Sequence, residues 1–224
     1  LYSYCKAFGF GERTGFGIGA ENAGVLHRVK KWDSLTITRL PTGYAVSATP
    51  MQVHCAMGAV ANDGVLMKPQ VVRRIYETEG STVVSFQPIA RRRTLSRHSC
   101  AMLTNALTEV VSDQGTARRA AVPGFRVAGK TGTTRKLVDG RYSPEKHVAS
   151  FSGFLPADNP RVVITVVVDE PRFKGTGYGG VVAAPSFRKV AEEIVAYLGI
   201  QPEETVQNDR PGSTAMKVTM NNRQ

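Results

Sequence analysis

Apolar residues recur with a helical period in three stretches of the chain. These stretches are residues 49–64, 96–115 and 184–199. In the first stretch, Thr49 is a good N-cap and Pro50 suits the first helical turn, and a glycine closes all three stretches. The pattern therefore predicts three helices, and residues 1–7 are typical of the middle of a fourth.

The side of each helix that faces the core follows from its apolar positions. In the last stretch, the residues expected on one side are Phe187, Val190, Ile194, Tyr197 and Leu198. In the middle stretch, the corresponding residues are Cys100, Leu103, Leu107, Val110 and Val111. We expect both helices to cover a sheet.

β-branched and alternating apolar residues indicate strands between these helices. Residues 70–88 hold two such runs around a Glu-Gly-Ser turn, which predicts a hairpin. Residues 125–134 predict one strand, and residues 147–171 predict two strands joined by a turn at residues 156–160. The order of elements predicts an α+β fold in which helices flank an antiparallel sheet.

The composition is that of a globular protein. The chain has 224 residues, of which 42% are hydrophobic, and this length suits one domain or a part of a larger one. We expect a domain over residues 1–199, followed by a polar, disordered tail over residues 200–224. The sequence starts without a methionine and in the middle of a predicted helix, so we expect a fragment with any targeting segment upstream.

The formal charge of +11 is the first hint of a binding partner. Nucleic acid is disfavoured, because the basic residues are scattered and aromatic residues do not alternate with them as stacking platforms. Contact with an anionic surface, such as a membrane or a cell-wall polymer, is the milder interpretation. Cys5, Cys55 and Cys100 form no CxxC pair, and the four histidines are dispersed. We therefore expect no metal and no cofactor.

Residues 124–131 match the phosphate-binding pattern G-x-x-x-x-G-K-T. An apolar run that ends at Asp169 could supply the acid that positions magnesium. The surroundings disagree, because a phosphate loop must follow a buried strand and open a helix. Here the predicted strand residues fall inside the supposed loop, and no helical period follows Thr131. A nucleotide-binding protein remains the rival from another functional class.

Lys130, the lysine of this phosphate-binding pattern, also begins a second pattern, K-T-G-T, over residues 130–133. On a strand edge that pairs with an extended peptide, Lys130 would offer positive charge to a substrate carboxylate and assist proton transfer. Gly132 would let the substrate backbone approach closely. Thr131 or Thr133 would offer a hydroxyl, and a strand N–H would form half of an oxyanion hole.

Five segments around this pattern occur in an order that resembles a known family. They are residues 8–32, 43–52, 127–136, 149–171 and 177–187. Together they resemble the C-terminal part of the transpeptidase domain of class B penicillin-binding proteins, over residues 8–198. Residues 130–136 and 142–160 look more like the division branch of that family than the elongation branch.

The resemblance implies a partial penicillin-binding, serine β-lactamase-like transpeptidase fold. It implies a D,D-transpeptidase that cross-links peptidoglycan stem peptides, reacts with β-lactam antibiotics and works with membrane proteins of the division complex. It also implies an anchor in the inner membrane, upstream of this chain, with the catalytic domain on the periplasmic side.

By motif, the resemblance assigns substrate binding to Lys130, Thr131, Gly132 and Thr133. Lys130 is also implied in catalysis, and the backbone N–H of Thr133 in the oxyanion hole. A glycine loop bordering the cleft would contribute three further residues, Tyr178, Gly179 and Gly180.

The family's nucleophile motif, Ser-x-x-Lys, occurs here as residues 186–189, after K-T-G rather than before it. We therefore expect Ser186 and Lys189 to be ordinary helix residues. The nucleophilic serine and its lysine are expected upstream of Leu1, which would leave this chain inactive alone. Other acyl-serine proteins stay open as alternatives, namely a D,D-carboxypeptidase, a β-lactamase or a β-lactam sensor, as does a non-catalytic binding module.

Overall fold

A three-stranded antiparallel sheet with helices on both faces forms the centre of the structure. The computed structural model describes residues 1–172 and 177–202. Its α-helices are α1 (Tyr2–Ala7), α2 (Thr36–Arg39), α3 (Pro50–Ala61), α4 (Arg97–Glu109), α5 (Gly179–Val182) and α6 (Ala184–Tyr197). Its strands are β1 (Val25–Leu26), β2 (Val46–Ser47), β3 (Val65–Met67), β4 (Arg74–Tyr76), β5 (Thr82–Ser85), β6 (Ala90–Arg93), β7 (Ala128–Val138), β8 (Arg141–Leu155) and β9 (Val162–Asp169). The central sheet has the order β7-β8-β9, and the shorter strands pair as β1-β2, β3-β6 and β4-β5.

The predicted helices form where their end signals lie. Thr49 caps α3 through a capping box, in which its hydroxyl accepts the Gln52 N–H and the Gln52 side chain accepts the Thr49 N–H. Ser96 caps α4 by accepting the Ser99 N–H. The predicted end of α4 at Gly115 is wrong, because the chain leaves the helix after Glu109 and continues in turns.

The predicted strands are confirmed with shifted bounds, and β8 begins at Arg141 rather than at the predicted residue 147. β4 and β5 form the expected hairpin, and β8 and β9 form the second one around residues 156–161. The strand predicted over residues 125–134 begins later, at Ala128, and runs on to Val138. These pairings confirm the antiparallel α+β architecture.

Each face of the central sheet carries its own hydrophobic core. On one face, Phe151 of β8 lies among residues of α6, and its ring meets the ring of Phe187 edge-on at 4.7 Å between centroids. On the other face, Phe154 packs with Val60 of α3 and Leu107 of α4. Two layers of helices therefore sandwich the sheet and leave its edges as the places where its backbone can be reached.

The buried side of α6 differs from the predicted one. Phe187 is buried as expected, but the other buried residues are Ala184, Ala191 and Val195. Three of the residues expected to face the core are exposed: Val190, Tyr197 and Leu198. The small side chains of Ala184 and Ala191 let the helix backbone approach the sheet, so these alanines face inward together with Phe187 and Val195.

A buried glutamine holds the glycine-rich N-terminal segment against α3. The Gln52 amide donates to the carbonyls of Glu12 and Ala23, both at 2.8 Å, and its side-chain oxygen accepts the Thr49 N–H at 2.8 Å. Only 1% of this residue is exposed. One side chain therefore both caps the helix and satisfies two carbonyls of a segment without regular structure.

The expected disordered tail falls mostly outside the described residues, because residues 203–224 are not described. Residues 200–202 follow α6, and Pro202 reaches Gly124 in the turn before β7. In residues 1–172 and 177–202, none of the helices has both the length and the apolar character needed to span a bilayer.

Replacing Gln52 by Ala should destabilise the fold by about 2–4 kcal/mol, because the change leaves two carbonyls and the helix cap unsatisfied. Urea unfolding of the Gln52→Ala variant measures this loss. Gln114→Ala at an exposed position is the matched control and should change stability by less than about 0.5 kcal/mol. Equal stability of the two variants would contradict the role assigned to Gln52.

Candidate functional site

The K-T-G-T segment lies on the edge strand of the central sheet. β7 pairs with β8 on one side, with Lys130 opposite Ser152 and Thr133 opposite Ala149. No other strand in the described part of the chain pairs with its second edge. Backbone N–H and C=O groups along that edge are therefore available to an extended ligand.

Three polar side chains meet at the start of this segment. The Lys130 ammonium donates to the Thr131 carbonyl at 3.0 Å and lies 3.4 Å from the Thr131 hydroxyl. The Thr131 hydroxyl is 3.2 Å from the Thr116 hydroxyl, which comes from the turns after α4. A cation next to two hydroxyl groups is a suitable setting for a carboxylate. Thr116 had no signal in the sequence, because only the fold brings it to β7.

The glycines of the predicted cleft-bordering loop pack directly on the strand backbone. Gly179 is buried and begins α5, and its N–H donates to the Thr133 hydroxyl at 3.1 Å. A Cβ on Gly179 would overlap the carbonyl of Ser150 and lie 2.6 Å from that of Gly132. A Cβ on Gly180 would likewise overlap the Thr116 carbonyl. Both glycines thus have a packing reason to lack a side chain.

The remaining residues of the predicted site are also near the strand. Tyr178 precedes α5 and is 59% exposed. Gly132 lies opposite Ser150, whose hydroxyl would be 2.5 Å from a Cβ on Gly132. The fold itself therefore favours glycine at position 132, in addition to the predicted approach of a substrate. Gly175 and Thr176, earlier in the same loop, lie outside the described residues.

A polar row crosses the sheet from Lys130 to α3. Ser152 is opposite Lys130, and Thr165 of β9 is opposite Ser152. The Ser152 hydroxyl is 2.7 Å from the Thr165 hydroxyl, which is 3.1 Å from His54 Nδ1. Burial lowers the pKa of His54, because desolvation disfavours the charged ring. The sequence contains these residues but does not show that they are neighbours, because that depends on strand register.

The alternative assignments of the sequence do not fit this geometry. The strand continues through Lys130 and Thr131 to Val138 in an antiparallel sheet, so the phosphate-loop interpretation of residues 124–131 is wrong. Ser186 and Lys189 belong to α6, which packs on the sheet face opposite to the one that carries Ala128 and Lys130. Among the residues that the structure describes, there is no group of three or more His, Cys, Asp or Glu side chains suited to a metal ion.

Comparisons with known proteins agree on one family. The family model described as the penicillin binding protein transpeptidase domain matches residues 1–192. Stage V sporulation protein D of Bacillus subtilis is 38% identical over 206 residues, which are 91% of this chain and 31% of that protein. A probable peptidoglycan D,D-transpeptidase PenA of Neisseria gonorrhoeae is 35% identical over 202 residues, 90% of this chain and 33% of that one.

A solved structure shares the fold. Penicillin-binding protein 3 of Mycobacterium tuberculosis, complexed with ampicillin, superposes with a TM-score of 0.81 and 31% identity over 92% of this chain and 47% of that chain. The chain spans about a third of the length of the two curated relatives named above. The likeness confirms the predicted fold class, for the part of the domain that is present.

Replacing Gly179 by Ala should destabilise the protein by about 1–3 kcal/mol, because the new methyl group would push α5 off the carbonyls of β7 and β8. Thermal unfolding monitored by circular dichroism tests this. Gly58→Ala in α3 is the control, since a Cβ there meets nothing within 4 Å. That variant should be neutral or slightly more stable. A neutral Gly179→Ala variant would contradict the close packing.

As the pH is lowered, His54 should begin to reduce the free energy of unfolding at a higher pH than the carboxylates do. Burial lowers the pKa of His54 in the folded protein, so the unfolded chain binds a proton at this residue more readily. The contribution of His54 to the free energy of unfolding is therefore complete above about pH 6.5 and is lost as the pH falls below that value. Urea unfolding from about pH 7 to about pH 5 should show this slope. It should flatten in His54→Gln and persist in His98→Gln, an exposed control. An unchanged slope in His54→Gln would contradict the assignment.

Proposed function

The chain belongs to the penicillin-binding protein transpeptidase family, and from that premise we propose that the complete protein is a peptidoglycan D,D-transpeptidase. Its substrates would be stem peptides that end in D-Ala-D-Ala, and β-lactam antibiotics would react with it. The names of the relatives and the antibiotic complex of the structural neighbour support this proposal. The observation that carries it is the open edge of β7 with the Lys130 ammonium at its start.

The proposed roles follow the chemistry of each group on β7. Lys130 would attract the terminal carboxylate of the peptide and assist proton transfer at the nucleophile. Thr131 and Thr133 would line the carboxylate with hydroxyl groups, and Gly132 would leave space for the substrate backbone. The Thr133 N–H would stabilise the oxyanion that forms when the carbonyl is attacked.

The described end of the glycine loop would border the same cleft. Tyr178 would supply an exposed aromatic wall, and Gly179 and Gly180 would keep α5 close to the strand. The contact from the Gly179 N–H to the Thr133 hydroxyl supports this view, because it joins the loop to a residue of the proposed oxyanion strand.

The reaction needs a serine hydroxyl near Lys130. Its oxygen would attack the carbonyl between the two D-Ala residues, and its proton would pass to the departing amine. The carbon–nitrogen bond breaks, D-Ala leaves and a serine ester forms. The amine of a second stem peptide then attacks the ester, forms the new amide and returns a proton to the serine. We assign this serine to no described residue of the chain.

The cellular setting is also part of the proposal. We infer a catalytic domain on the outer side of the cytoplasmic membrane, because peptidoglycan lies there, with an anchor elsewhere in the complete protein. Residues 130–136 and 142–160 favour the division branch, and therefore membrane proteins of the division complex as partners. One of the relatives carries a sporulation name and another is named a probable peptidoglycan D,D-transpeptidase, and the second name supports a role in cell-wall synthesis more broadly.

Labelling with a fluorescent penicillin tests the proposal in the complete gene product. We expect a covalent adduct, and we expect Lys130→Ala to slow its formation about 100-fold or more, because charge and proton transfer are lost together. Ser186→Ala and Lys189→Ala are the matched controls and should form the adduct at the rate of the parent protein. Absence of an adduct in the parent protein, or an unchanged rate in Lys130→Ala, would overturn the assignment.

A transpeptidase, a carboxypeptidase and a β-lactamase differ in how fast the penicillin adduct is hydrolysed and in whether a D-Ala-D-Ala peptide is transferred or hydrolysed. A transpeptidase should transfer the peptide to an added amine acceptor and release the penicillin adduct slowly. Hydrolysis of the peptide without transfer would indicate a carboxypeptidase instead. Rapid hydrolysis of the penicillin would indicate a β-lactamase.

A further inference from the structure

Three side chains of the polar row beside Lys130, namely Ser152, Thr165 and His54, have no part in the proposed reaction. They come from three different elements, β8, β9 and α3. Ser152 is only 3% exposed, and the sheet face around the row is packed as a hydrophobic core. A chain of hydroxyl groups in such surroundings is costly to bury, and its hydrogen bonds are strong because the local dielectric is low.

The direction of the hydrogen bonds along the row follows the protonation of His54. When the ring is neutral with its proton on Nε2, Nδ1 accepts from the Thr165 hydroxyl at 3.1 Å, and the Thr165 oxygen accepts from the Ser152 hydroxyl at 2.7 Å. The Ser152 lone pairs are then free on the side of Lys130. A charged ring donates from Nδ1 instead, so Thr165 donates to Ser152 and the Ser152 hydrogen points out of the row.

Lys130 stands at the other end of the row. It is directly opposite Ser152 in the pairing of β7 with β8, and side chains paired in this way start from Cβ atoms about 5 Å apart on one sheet face. No carboxylate pairs with the Lys130 ammonium in residues 1–172 and 177–202. Neighbouring dipoles therefore act on its charge: the Ser152 lone pairs stabilise the ammonium, and a Ser152 hydrogen repels it.

None of the charged groups that the structure describes around α3 contributes to the lowered pKa of His54, for which burial is the one cause. Cys55 is the other titratable residue of α3, Asp169 is the one on β9, and His147 is the one on β8 nearest in sequence to Ser152. The remaining titratable residues on segments next to α3 are Glu12, Glu21, Arg91, Arg97, His98, Cys100 and Glu109.

We propose that Ser152, Thr165 and His54 are positioning residues, which hold the Lys130 ammonium ready for the attack on the substrate as long as His54 is neutral. The inference rests on the proposed function, because it needs the role of Lys130 in that reaction. Acylation is therefore fast while His54 is neutral and slows as the pH falls through the pKa of His54, which lies below its ordinary value of about 6.5.

The test measures the rate of acylation by a fluorescent penicillin in the complete gene product, from about pH 7.5 to about pH 5. The rate of the parent protein should fall about threefold or more over this range. Thr165→Val keeps the shape of the side chain and removes its hydroxyl. This variant should react about three to ten times more slowly at the higher pH, and its rate should no longer follow the protonation of His54.

Conservative variants separate this role from a purely structural one. His54→Asn places an amide oxygen where Nδ1 lies and cannot take up a proton, so it should keep the parent rate at the higher pH and lose the fall in acid. Thr165→Ser keeps the hydroxyl and should keep the parent profile. His98→Gln removes an exposed histidine of α4 and is the matched control, also with the parent profile.

Rates are read on molecules that bind penicillin to completion, so that unfolded protein does not count. A parent protein that forms the adduct with the same pH profile as His54→Asn would overturn this inference and leave the proposed function standing, whether or not Thr165→Val folds. A folded Thr165→Val variant with the parent rate and profile would also overturn it. A parent protein without an adduct would overturn the proposed function, and the inference with it.

Discussion

Strand β8 pairs with β7 on one side and with β9 on the other, and the site depends on that arrangement. The helices cover both faces of this sheet, because Phe151 and Phe154 of the central strand must each be buried. With the faces closed, the backbone can meet a ligand only at an edge. The K-T-G-T segment occupies such an edge, which is why a short and common motif carries weight here.

Close backbone packing then holds that edge in shape. The glycines at the start of α5 lie against carbonyl groups of β7 and β8, and Gly179 also donates to a threonine hydroxyl of the motif. A rigid strand keeps its N–H groups aimed before a substrate arrives, which is the property that oxyanion stabilisation requires. The same glycines therefore serve both packing and, in our proposal, catalysis.

Local signals in the sequence were sufficient for the main helices, the longer strands and the motif, but not for the short strands β1, β2, β3 and β6. Thr49, Ser96 and the turn after β8 predicted helix and strand ends because caps and turns depend on neighbouring residues. The buried side of α6 could not be predicted fully from apolar periodicity, since two alanines face the sheet together with Phe187 and Val195. The contacts of Thr116 with Thr131 and of His54 with Thr165 depend on tertiary packing and register, which no local pattern contains.

The central claim is that a substrate binds along the open edge of β7. A crystal structure of the complete gene product with covalently bound penicillin tests it most directly. We predict that the carboxylate of the antibiotic lies beside the hydroxyls of Thr131 and Thr133 and that its carbonyl oxygen accepts the Thr133 N–H. An adduct that lies away from β7, or whose carbonyl is bonded by other groups alone, would contradict the account.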